Sequence, residues 1–124
     1  MKKIQTLQTV SFLVTEEAVR SYAELTDDFN PIHLDADFAA TTPMERPIAH
    51  GTMSLCLIWK CLQKNFGDSV FADLQLDARF VKPVFIGEKL ITGGQADPDE
   101  STRYHVWVRN DDGEECIAAI VTRG

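Results

Sequence analysis

The 124 residues carry a formal charge of −7, with 25% charged and 44% hydrophobic side chains, which suits one soluble domain, residues 1–124, with a single core. That balance excludes intrinsic disorder, and so acidic a chain lacks the basic surface that nucleic acid demands. No apolar run reaches the roughly 18 residues of a membrane span, and Met1-Lys2-Lys3 leads into polar Gln5-Thr6-Leu7-Gln8, so no membrane contact and a cytoplasmic location are expected.

Ile4 to Val14 reads as an extended lead-in. Thr15-Glu16-Glu17-Ala18 then has the form of a helix start, with Thr15 as cap and acids in the first turn. This helix should turn Val19, Tyr22, Ala23 and Leu25 inward. It should end near Asp28, because Pro31 fixes its own φ and steers Asn30 out of the helical region. Asp35 to Ala40 suggests a second, short helix, stopped by Thr41-Thr42-Pro43, and Met44 to Ile48 is a Pro-flanked loop.

From His50 the pattern changes. Met53, Leu55, Cys56, Leu57, Ile58, Trp59, Cys61, Leu62 and Phe66 cover nearly the whole circumference of a helix that Gly67 closes, so this helix should be mostly buried. Asp73 to Val81 then alternates polar and apolar residues with a period of two, the mark of a half-buried strand, which Pro83 ends or bulges. Glu88 to Gln95, Arg103 to Asn110 and Glu115 to Thr122 read as further strands, the last two joined by the turn Asp111-Asp112-Gly113. The order gives an α+β class, with an antiparallel sheet curled around a long helix.

Cys56, Cys61 and Cys116 are odd in number and lack the paired spacing of zinc sites, so they read as reduced thiols of the core or near-surface. No metal or cofactor is expected. Chemistry points instead to Leu25 through His33, which sets a carboxylate, Asp28, and an imidazole, His33, five residues apart around an Asn30-Pro31 bend. Such residues also make ordinary turns by bonding nearby backbone. Arg46-Pro47-Ile48-Ala49-His50-Gly51-Thr52 adds a glycine at the start of the buried helix, where free N–H groups and the helix dipole favour developing negative charge. An acid, a base and an anion site are what addition of water across a carbonyl-conjugated double bond requires. His50 has two readings, a cap or packing residue ahead of the helix, or a supporting member of the site.

Tyr22 through Ala39, centred on Asp28-Phe29-Asn30-Pro31-Ile32-His33, resembles the signature of MaoC-like, (R)-specific enoyl-CoA hydratases. Pro47-Ile48-Ala49-His50-Gly51 and Arg79-Phe80-Val81-Lys82-Pro83-Val84-Phe85-Ile86-Gly87-Glu88 resemble two further segments of that family. The resemblance implies a hot-dog fold working as a homodimer or dimer of dimers. It carries the catalytic Asp to Asp28, the catalytic His to His33, the oxyanion N–H to Gly51 and a supporting role to Asn30. It implies reversible hydration of a trans-2-enoyl thioester to the (3R)-3-hydroxyacyl product, without metal or cofactor. The carrier would be coenzyme A or an acyl carrier protein, and the acyl chain short or medium.

Arg46, Arg79, Lys82 and Lys89 are the candidates to meet the carrier's phosphates. One departure stands out: the family commonly has glycine where this chain has Asp27, a second carboxylate that would hold Asp28's proton more tightly if both faced one pocket. Two other functions fit such a frame, hydrolysis of an acyl-CoA thioester and acyl-CoA binding by a non-catalytic accessory subunit.

Overall fold

The computed structural model describes residues 4–123; Met1, Lys2, Lys3 and Gly124 lie outside the described residues. The lead-in condenses to one short strand, β1 (Ser11–Leu13), plus an isolated bridge from Thr6 to Gln95. α1 spans Glu16–Thr26, and the Thr15 hydroxyl accepts from the Ala18 N–H as a cap should. Val19 and Ala23 are buried and Tyr22 is half-buried. Leu25 points outward, contrary to expectation, and is 82% exposed; six residues beyond Val19, it falls about 120° off the buried stripe.

Two short helices follow, α2 (Pro31–Leu34) and α3 (Ala36–Ala40). His33 therefore sits on a single helical turn, where an ordered bend without helix was expected. Pro31 explains the difference, because at the first helical position its fixed φ favours the helix and its missing N–H is no loss. The Asn30 side chain supplies the cap by accepting from the Ile32 N–H at 3.0 Å.

α4 (Gly51–Phe66) is the long helix, and a short 3-10 helix, Asp68–Ala72, continues from Gly67. Its burial is one-sided. Met53, Ser54, Leu57, Ile58, Cys61 and Leu62 are buried, while Thr52, Cys56, Lys60, Gln63 and Lys64 are exposed. The sheet covers one face of α4 and leaves the other open, so Cys56 is a surface thiol while Cys61 and Cys116 belong to the core.

The strands β2 (Leu74–Phe80), β3 (Lys89–Ala96), β4 (Arg103–Arg109) and β5 (Glu115–Arg123) join β1 in one antiparallel sheet of order β1-β3-β4-β5-β2. β3, β4 and β5 form a meander, so the segment between β2 and β3 crosses from one sheet edge to the other. β2 shows the expected alternation, with Leu74, Leu76 and Ala78 half-buried between exposed Gln75, Asp77 and Arg79. At its end the N–H groups of Val81 and Lys82 both donate to the Cys116 carbonyl, a bulge placed just before Pro83. The core lies between the inner face of the sheet and α4, built from Leu57, Ile58, Leu62, Val106, Val108, Ile117 and Val121 among others.

Candidate active site

The end of α1 delivers the first candidate side chain. Asp27 ends the helix in the left-handed region, at φ 55 and ψ 37, and its N–H reaches back to the Ala23 carbonyl. That backbone conformation favours glycine, and Asp is among the few other side chains that tolerate it. Asp27 is exposed. Asp28 follows, exposed in this chain, and its Oδ1 accepts from the Asn30 N–H at 3.3 Å.

His33 is oriented by the loop that crosses behind it. Its Nδ1 lies 2.7 Å from the Ile48 carbonyl oxygen. A carbonyl only accepts, so in the neutral ring Nδ1 carries the hydrogen and Nε2 keeps a free lone pair. The Ile48 N–H in turn donates to the Ile32 carbonyl, which ties this loop to α2.

His50 stands at the N-cap position of α4 but makes no side-chain cap bond. The ring is instead 2% exposed, stacked on His33 with centroids 3.9 Å apart and planes 27° from parallel. Tyr22 meets the His50 ring edge-on at 5.1 Å, and the Tyr22 hydroxyl donates to Thr52 in the first turn of α4. His50 Nε2 lies 3.0 Å from the Asp28 backbone carbonyl, so Nε2–H donates and Nδ1 is left bare. Among the described residues His50 Nδ1 is the buried side-chain atom without a hydrogen-bond partner.

The ligand-type atoms of Asp28, His33 and His50 all lie within 4.8 Å of one another. These are the residues that could hold a metal ion. Stacked rings, however, carry their in-plane lone pairs side by side and do not aim them at a common point. The cluster is better arranged to hold and move protons than to chelate.

Gly51 opens α4 directly after His50. Of the first N–H groups, those of Met53 and Ser54 bond to the His50 carbonyl, which leaves Gly51 and Thr52 as the helix's free donors among the described residues. The approach is close here, since a Cβ would lie 3.1 Å from Cε1 of Phe80 and the ring would have to give way by a few tenths of an ångström. The Phe80 ring is 58% exposed, at the lip of an open depression of about 290 Å³. Its walls are mainly apolar, with Ile48, Ala49, Gly51 and Ser54 on one side and Val84, Cys116 and Ile117 on the other. Burial raises the Cys116 thiol's pKa, so that wall carries no ready nucleophile.

The four candidate phosphate cations are not brought together. Arg46 is exposed, its guanidinium 4.0 Å from the Phe85 ring centroid. Lys82 lines the depression, but its ammonium is paired with Glu114 at 2.6 Å. That bond raises the Lys82 pKa and lowers that of Glu114. Arg79 lines a groove with Asp77 and His105, and Lys89 lines another with Lys60 and Lys64. What sequence reasoning left open was His50's place between the pair; histidine immediately before the helix glycine was the only signal, and it does not reveal burial or stacking.

The MaoC like domain model matches residues 3–110. The (R)-specific enoyl-CoA hydratase of Aeromonas caviae is 40% identical over 72 residues, 58% of this chain and 54% of that protein. The 3-hydroxybutyryl-CoA dehydratase of Methylorubrum extorquens is 36% identical over 75 residues, 60% of this chain and 48% of that protein. The matched stretch thus spans about half the length of these curated relatives. Among solved structures, the (R)-hydratase from A. caviae involved in PHA biosynthesis superposes with a TM-score of 0.81 and 26% identity, covering 100% of this chain and 98% of that one. The R-hydratase of Pseudomonas aeruginosa gives 0.79 at 24% identity and covers 99% and 82%, a likeness of fold. With its helix-backed antiparallel sheet and its Asp28-to-His33 turn, this chain has a hot-dog fold and belongs to the MaoC-like domain family.

Proposed function

We propose that this chain is a hydro-lyase that adds water reversibly to a trans-2-enoyl thioester, giving the (3R)-3-hydroxyacyl product. The observation that carries the proposal is the tautomer of the neutral His33 ring: Nδ1–H is donated to Ile48, Nε2 keeps its lone pair, and a ring nitrogen lies within 4.8 Å of an Asp28 carboxylate oxygen. Asp28 and His33 hold one water between them. As its oxygen bonds to C3, one group accepts the proton released, and a proton is delivered to C2 on the same face, so addition is syn. The Gly51 N–H receives the thioester oxygen as negative charge grows on it, a type of interaction worth about 3 kcal/mol per donor. Asn30 keeps the turn in shape through its cap to Ile32.

The depression beside Gly51, about 290 Å³ and mainly apolar, suits a short or medium acyl chain carried on coenzyme A or an acyl carrier protein. Of the phosphate candidates, Arg46 is the one near this depression without an acidic partner among the described residues. We take the chain as one domain working as a homodimer in the cytoplasm. β2 is a seven-residue sheet edge that ends in exposed Phe80, with exposed Val81 next in the chain, a surface that a second copy would cover. No helix among the described residues is long and apolar enough to cross a membrane.

The test is purified protein with crotonyl-CoA and, separately, butyryl-CoA. Loss of the enoyl absorbance without free thiol supports hydration; free thiol from either substrate means a thioesterase, and binding without turnover means an accessory subunit.

A further inference from the structure

Whereas Asn30 meets the acid/base pair only through its backbone, the His50 side chain touches both members. One face of its ring stacks on His33 at 3.9 Å, and its Nε2–H holds the Asp28 carbonyl at 3.0 Å. Tyr22 also packs against the ring, with centroids 5.1 Å apart. The fold pays for this with a buried, bare Nδ1, an unsatisfied acceptor that a packing residue chosen for stability alone would not carry. A phenylalanine would fill the same space without it, but could not donate to Asp28. A glutamine could donate, but offers no ring for His33.

We propose that His50 is a positioning residue for hydration, fixing the separation of the Asp28 and His33 side chains, and this rests on the hydratase assignment above. It does not touch substrate. Its two contacts act on different partners, one on the backbone at Asp28 and one on the ring plane of His33. Both must hold for the two groups to share one water, because such catalysis loses rate steeply with small misplacements.

Two single variants and a cycle test this. His50→Phe keeps the ring and loses the donor; His50→Gln keeps the donor and loses the ring. Each should lower kcat on crotonyl-CoA by about tenfold to a hundredfold. KM should stay within about threefold, as expected when ground-state binding is untouched. The midpoint of thermal unfolding for His50→Phe should stay within about 5 °C of wild type, since the lost hydrogen bond is offset by loss of the orphan acceptor.

In a His33→Ala background, His50→Gln should cost less than about twofold further, because a ring that acts through His33 has nothing left to orient. An active wild type whose His50→Phe and His50→Gln variants keep kcat overturns the inference and leaves the hydratase assignment standing. So does a rate loss that follows unfolding in both variants, or one that is as large without His33 as with it. A wild type that leaves crotonyl-CoA unchanged overturns both.

Discussion

Gly51→Ala separates the fold's needs from the site's. The added methyl would lie 3.1, 3.4 and 3.6 Å from Cε1, Cδ1 and Cζ of Phe80. The first distance is too short by a few tenths of an ångström, but the ring is 58% exposed and can tilt away. Gly51 does not have a positive φ, and alanine is the better helix former by up to about 1 kcal/mol. The variant should therefore fold with an unchanged or slightly higher unfolding midpoint by circular dichroism. Catalysis should suffer, because the methyl and displaced ring crowd the place of the thioester oxygen beside the Gly51 N–H. Losing one such donor outright costs about 3 kcal/mol, and weakening it should cost about half that, roughly tenfold in kcat. Hydration of crotonyl-CoA, followed at the enoyl band, measures the rate. Full kcat in a well-folded variant would refute the assignment of Gly51 to the oxyanion.

Asp28→Asn and His33→Ala should each lower kcat/KM by about a hundredfold or more, and the double variant should lose little beyond the worse single one, since the two act as a unit; stopped assays at raised enzyme concentration would show this. Outside the site, the Asp97 carboxyl is held down to about 2 by the Asp99 backbone N–H and by His105. A depressed carboxylate stabilises the fold above its ordinary value of 3.8 and loses that contribution as pH falls toward 2. Asp97→Asn should therefore lower the unfolding midpoint at pH 6 and converge on wild type near pH 2. Cys61 and Cys116, buried and with raised pKa values, should resist a thiol reagent until denaturant is added, whereas Cys56 reacts in the native state; native labelling of Cys61 would contradict the packing.

Much of this was written locally. The period-two alternation of β2, the apolar run of α4 and the Gly113 turn each depend on neighbours in sequence, and each appears where those neighbours predict it. The Asp28-to-His33 turn was legible because Pro31 and Asn30 act on their own backbone. What escaped depends on contacts distant in sequence. Sheet order is one case, as β2 pairs with β5 and not with β3. The open face of α4 is another, because an apolar circumference does not say how much of it one sheet can cover. The cations scattered for the same reason: Lys82 is taken by Glu114, 32 residues away. His50 needed Asp28, 22 residues earlier, before its place could be known. Asp27 looked like a departure aimed at the chemistry, and its positive φ makes it first a backbone matter.

Chiral analysis of the product formed from crotonyl-CoA, with wild type and Asp28→Asn side by side, bears most directly on the central claim. The account predicts (3R)-3-hydroxybutyryl-CoA from wild type and a loss of at least about a hundredfold with Asp28→Asn. A (3S) or racemic product, or an Asp28→Asn variant as fast as wild type, would contradict it.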